Sequence, residues 1–169
     1  MTASAVRLAV FDVDGVLTDG TFVPGGEEAE LRAFHVHDGL GLRLLREASI
    51  AVWFLTARSS RIVARRAAEL GIDGVLQGRA DKRAALEEIA AEAGASRVET
   101  AYMGDDLLDV AAMRWAGLSA APADARPEAR EAAAWVSAVG GGRGAVREFC
   151  EYLLKARGAW DLVVTRLAR

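Results

Sequence analysis

The sequence predicts an α/β fold: a three-layer sandwich around a Rossmann-like parallel sheet, with a β-hairpin flap and no cap domain. Three observations predict it. Short apolar runs alternate with amphipathic stretches of helical period almost from end to end, the pattern of parallel strands joined by right-handed crossovers. Polar or acidic turns follow several of those runs, at the sheet edge where open α/β sheets hold ligands. A single β-prone hairpin breaks the rhythm near the first of these turns.

In chain order, residues 8–11 form the first strand, apolar throughout as a strand buried on both faces requires. Thr21-Phe22-Val23 and residues 31–36 flank Pro24-Gly25-Gly26, which reads as a hairpin. Its position over residues 19–37, beside the first acidic turn, favours a flap over a plain surface hairpin. Strands are then expected at 50–55, 74–77, 100–103, 118–120 and 135–137, with helices at 40–48, 61–70, 82–93, 107–115 and 128–133. Gly71 and Gly94 stand where helices end, and Ser59 and Asp81 are candidate N-caps. A last helix is expected at 143–157, followed by an apolar tail over 158–169.

With 169 residues, one domain spanning 1–169 is expected, long enough to bury a core. Hydrophobic residues make up 52% and charged residues 27%, as in globular proteins. The net charge of -3 points away from nucleic acid. Cys150 stands alone, which excludes an internal disulfide and a multi-cysteine zinc site and suits a reducing cytoplasm. No apolar run approaches the ~20 residues of a membrane span. The expected partner is a small molecule.

The chemistry concentrates in four places. Asp12-Val13-Asp14-Gly15 follows the first strand, and two anions placed there repel unless a cation bridges them. A hard cation such as Mg²⁺, beside a substrate phosphate, suits that arrangement, although a turn with two Asp side chains bonded to backbone N–H groups fits it as well. Thr56-Ala57-Arg58-Ser59 offers a hydroxyl and backbone N–H groups to an anion, or an ordinary N-cap. Lys82 begins a helix, where the helix dipole opposes a cation, so an anion nearby is expected to compensate it. Gly104-Asp105-Asp106-Leu107-Leu108-Asp109 brings three carboxylates to one strand-to-helix turn, more than capping calls for.

In this order, Asp12-Val13-Asp14-Gly15, Thr56, Lys82 and Gly104-Asp105-Asp106 resemble the haloacid dehalogenase-type phosphatases. Residues 12–20, 34–41, 56–60, 70–72, 77–78 and 141–148 extend the resemblance over nearly the whole chain, to the branch acting on phosphorylated keto-sugar acids. Ala57 departs from the usual Gly there, and His37 from a common Arg. The resemblance implies a Mg²⁺-dependent, homotetrameric cytoplasmic phosphatase of 3-deoxy-D-manno-octulosonate 8-phosphate, serving lipopolysaccharide biosynthesis. Two alternatives stay open: a phosphatase of a nine-carbon sialic-type 9-phosphate (acylneuraminate or KDN), and a catalytically weak binding or regulatory module.

The resemblance also implies roles. Asp12 is the nucleophile and Asp14 the general acid and base. Asp12, the main-chain carbonyl of Asp14, and Asp105 hold Mg²⁺, with Asp106 reaching it through water and Asp109 behind them. Thr56, Ala57 and Lys82 bind phosphoryl oxygens, and Lys82 stabilises transition-state charge. Arg58 is the candidate for a substrate carboxylate, because a guanidinium binds one through two parallel bonds. Arg65 reads as a surface residue, and Arg166 and Arg169 as candidates to reach a neighbour's site. His35 and His37 would share a strand face, but without a third His or a Cys a metal role is not expected, and contact of His37 with substrate stays open. Gly140-Gly141-Gly142-Arg143-Gly144 lacks the ending of a nucleotide loop, and Trp53, Trp115, Trp135 and Trp160 read as core or interface.

Overall fold

Strand β1 (Leu8–Phe11) lies inside a parallel six-stranded sheet with β4 (Ala51–Leu55), β5 (Gly74–Leu76), β6 (Thr100–Met103), β7 (Leu118–Ala121) and β8 (Trp135–Val136). Their spatial order is β5-β4-β1-β6-β7-β8. The chain therefore builds outward from β1 on one side and then crosses to build outward on the other. That reversal opens a crevice at the carboxyl ends of β1 and β6. The computed structural model describes residues 3–24 and 30–168.

Pleat alternation sorts the core into two layers. Ala9, Phe11, Val52, Phe54, Ala101 and Met103 face α1 (Val36–Glu47) and α6 (Ala145–Ala156). Leu8, Val10, Leu55 and Tyr102 face α3 (Lys82–Glu92) and α4 (Val110–Trp115), with Ala129 of α5 (Pro127–Ala132) in the same layer. α2 (Arg61–Leu70) adds Val63 and Ala67 to the first layer. The buried Asp38 carboxylate accepts the Arg147 N–H (2.8 Å), tying the start of α1 to the first turn of α6.

Among the described residues the strands of the flap are shorter than the sequence suggests. They are β2 (Val23–Pro24) and β3 (Glu30–Leu31), paired antiparallel; Gly25 and Gly26 of the expected turn lie outside the described residues. The β-prone run does not reach residue 36, because α1 begins there, four residues before the expected start. Gly39 and Gly41 look like breakers but serve packing. A Cβ on Gly39 would stand 2.6 Å from the Arg66 guanidinium, and one on Gly41 3.1 Å from Cys150. His35 and His37 consequently occupy the N-cap and first turn of α1, not a strand face, with their rings edge to face at 5.0 Å.

One further expectation is corrected, and the apolar tail packs on the core as a helix. Ser60, not Ser59, caps α2, accepting the Val63 N–H (3.4 Å). The tail is helical: Gly158 turns left-handed after α6, and α7 (Trp160–Leu167) restarts with Val163 buried against the core. Arg147 and Lys155 cover the Trp160 ring from α6. Trp135 stacks on Tyr152 and packs at a tilt against Phe149. No helix of the described residues is long and apolar enough to cross a membrane.

Candidate active site

Asp12 extends the ladder one residue past β1, its N–H donating to the Met103 carbonyl (2.9 Å). This fixes its backbone at the crevice, and alternation directs its side chain to the α3 side. Lys82 is the first residue of α3, whose N-cap Asp81 accepts the Ala84 N–H (3.0 Å). Its ammonium lies 2.7 Å from Asp12 Oδ2 and 2.5 Å from Asp109 Oδ1. The side chains of Lys82, Asp12 and Asp109 are only 4%, 6% and 0% exposed, so this is a buried ion triad. Two carboxylates supply the compensation that the helix dipole denies the cation.

Asp109 organises the turn after β6. Its Oδ1 also accepts the Tyr102 hydroxyl (2.6 Å), and its Oδ2 accepts the N–H groups of Asp105 and Asp106 (both 3.1 Å). The turn is a short 3₁₀ segment (Leu107–Asp109) leading into α4, not the start of one continuous helix. Asp106 is exposed and accepts the Leu107 N–H (2.7 Å).

Electrostatics follow from burial. Burial and then the Asp109 charge push the Asp12 carboxyl well above its usual range, Lys82 only partly offsetting them. Burial and Asp109 push Asp105 up to about 7. Burial alone would weaken the Lys82 ammonium, but Asp12 and Asp109 together hold it above its ordinary value. Protein cations are thus too few for the acids present, which is the condition a bound metal relieves.

The donors fit such an ion. Carboxylate oxygens of Asp12, Asp105 and Asp109 come within 4.8 Å of one another. Asp105 Oδ1 is buried with no hydrogen-bond partner. Asp109 already accepts four donors, which leaves Asp12 and Asp105 to offer oxygen to a hard cation. Gly15 is required beside them: its φ is +89°, and a Cβ would stand 2.0 Å from Asp105 Oδ2.

The other expected site residues sit around this centre. Buried Thr56 follows β4, and its hydroxyl accepts the Arg58 N–H (3.2 Å), with Ala57 half-buried between them. The Arg58 guanidinium lies 4.4 Å over the Phe22 ring of the segment leading into the flap. Asp14 leaves the acid cluster and pairs with Arg32 of the flap. Arg65 pairs with Glu69 along α2. Arg166 pairs with Glu47, and Arg169 lies outside the described residues.

Two contributors escape the sequence reading, and a third, singled out there, gains its role only from the structure. Tyr102 signals itself only as a second hydroxyl, beside Thr100, in a short buried strand. Arg32 has no local signature of its partner. The glycine run at 140–144 presses on the Asp12 loop: a Cβ on Gly141 would stand 1.8 Å from the Gly15 carbonyl oxygen, and the Gly142 N–H donates to the Val16 carbonyl (2.9 Å).

Comparison with known proteins agrees with this geometry. A family model described as haloacid dehalogenase-like hydrolase matches residues 73–146. The 3-deoxy-D-manno-octulosonate 8-phosphate phosphatase of Escherichia coli K12 is 42% identical over 159 residues, covering 94% of this chain and 85% of that one. The crystal structure of the same phosphatase from Moraxella catarrhalis, in complex with magnesium, phosphate and KDO, superposes with a TM-score of 0.95 at 39% identity, covering 98% of this chain and 95% of that one. The cobalt-bound phosphatase from Haemophilus influenzae gives 0.93 at 37% identity, covering 96% of this chain and 95% of that one.

Proposed function

The chain belongs to the haloacid dehalogenase-like hydrolases, in the family of the 3-deoxy-D-manno-octulosonate 8-phosphate phosphatases, and from that premise we propose that it hydrolyses this keto-sugar acid phosphate through Asp12. The observation that carries the reading is the buried Asp12–Lys82–Asp109 triad beside the unpartnered Asp105 oxygen. A module that only binds has no need of four ionisable groups held out of water at this cost.

Asp12 attacks phosphorus while the bond to the sugar oxygen breaks. The electron pair stays on that oxygen, which takes a proton from Asp14. Water then attacks phosphorus, gives a proton back to Asp14 and releases phosphate, restoring the Asp12 carboxylate. Lys82 holds Asp12 in place and offsets charge gathering on the phosphoryl oxygens. The Thr56 hydroxyl and the turn through Ala57 cradle those oxygens, and Arg58 faces the substrate carboxylate. Mg²⁺, held by Asp12, Asp105 and the main-chain carbonyl of Asp14, neutralises phosphate charge and aligns the attack when bound.

The protein is further proposed to act in the cytoplasm as a homotetramer. Among the described residues no cap covers the site, and the flap segment exposes Phe22, Val23 and Leu31, apolar surface that a neighbouring subunit can cover. Light scattering with a tetramer mass supports this, and a fully active monomer contradicts it. The functional reading is tested by steady-state hydrolysis across a panel of phosphorylated sugars, with Mg²⁺ and with EDTA. Preference for the eight-carbon acid phosphate, lost in EDTA, supports it. Preference for a nine-carbon 9-phosphate moves the substrate, and no hydrolysis of any phosphate removes the enzyme.

A further inference from the structure

Among the described residues of the flap, Arg32 carries a side chain that meets Asp14 at the site. It follows β3, and its side chain is 2% exposed although β2 and β3 are short and Val23 and Leu31 on them are exposed. A guanidinium is costly to bury unless an anion meets it. Here its Nη1 donates to Oδ1 of Asp14, whose side chain is 32% exposed at the mouth of the site. Asp14 needs such a tether. It sits in the loop Val13–Leu17, away from the hydrogen-bonded strand, at φ -79° and ψ 117°, directly before left-handed Gly15.

We propose that Arg32 is a positioning residue for the reaction: by holding Oδ1 of Asp14, it turns Oδ2 toward the leaving oxygen and fixes the path of the transferred proton. The inference rests on the acid and base role proposed for Asp14. Arg32 itself touches no reacting atom. The bonds that form and break are those already described, and Arg32 keeps its charge throughout. Because Arg32 rides on the flap, the same contact makes the aim of the acid depend on where the flap lies.

A misaimed acid hurts most where the leaving oxygen most needs a proton. A sugar alkoxide needs one, whereas p-nitrophenolate leaves nearly unaided. The experiment compares kcat/KM of Arg32→Met on 3-deoxy-D-manno-octulosonate 8-phosphate and on p-nitrophenyl phosphate, because kcat/KM reports the phosphorylation half-reaction alone. The expected loss is about 10- to 100-fold on the sugar phosphate, in line with the cost of a small misplacement, and less than about fivefold on p-nitrophenyl phosphate. Arg32→Lys should recover most of it. If Arg32→Met does not fold, Arg32→Gln takes its place with the same expected split. Asp14→Asn is measured beside them. If Asp14→Asn shows the leaving-group split and the Arg32 variants lose both substrates equally, or neither, Arg32 does not position the acid. If Asp14→Asn itself shows no split, the acid role fails first and the inference falls with it.

Discussion

The acid cluster and the flap lie side by side, yet they are held by very different amounts of structure. Asp12, Lys82, Asp105 and Asp109 hang from the ends of β1, α3 and β6 and from the turn before α4, all anchored in the six-stranded sheet or its helices. Moving any of them means breaking the core. Among its described residues the flap has two residue pairs, Val23 with Leu31 and Pro24 with Glu30, and it presents exposed Phe22 to Arg58. Positions that must not shift by an ångström are built where movement is costly. Groups that meet a changing ligand are built where it is cheap.

The largest effect should come from the rigid side. Asp12→Asn keeps the shape but removes the attacking anion, so turnover should fall by several orders of magnitude in a folded protein. Near-normal Mg²⁺-dependent turnover would place the nucleophile elsewhere. Lys82→Met leaves Asp12 and Asp109 buried without their shared cation. Chemical denaturation should show a loss of about 3–5 kcal/mol, the usual cost of breaking a buried pair from one side. A loss under 1 kcal/mol would mean that water already screens the triad.

Asp105 sharpens the contrast through pH. Without metal its folded-state value of about 7 lies above the ordinary carboxylate value of 3.8. The folded state then binds the proton more tightly. Its contribution to stability is present in acid below the ordinary value and is lost as pH rises through about 7. Metal-free Asp105→Asn should therefore melt at or above wild type at pH ~8. Added Mg²⁺ should raise the wild-type melting temperature but not that of the variant. A Mg²⁺ shift surviving in Asp105→Asn would remove Asp105 from the metal site.

The smallest effect belongs to Phe22 at the edge of the flap. Phe22→Ala removes an exposed cation–π contact worth about 0.5–1 kcal/mol, so KM for the sugar acid phosphate should rise about two- to fivefold with the melting temperature unchanged. A large drop in melting temperature would show that the flap is part of the core after all.

The same division governs what the sequence reveals. The spans of β1, β6 and α2 follow from apolar runs and helical period, because local pattern and burial agree there. Lys82 could be suspected from the helix dipole, but its burial between Asp12 and Asp109 depends on strand order. The start of α1 was obscured by Gly39 and Gly41, whose reason lies in Arg66 and Cys150, far along the chain. Arg32 meets Asp14 only once the flap folds back, so nothing beside it in sequence betrays the pairing.

The central claim, that Asp12 carries the phosphoryl group, has a direct test. Asp14→Asn slows the water attack, while p-nitrophenyl phosphate still loads the enzyme without much help from an acid. Acid-quenched Asp14→Asn, digested and weighed by mass spectrometry during turnover with Mg²⁺, should carry a phosphoryl adduct on Asp12. The adduct should vanish in the Asp12→Asn, Asp14→Asn double variant. An adduct on another residue, or phosphate release with none at any quench time, would contradict the account.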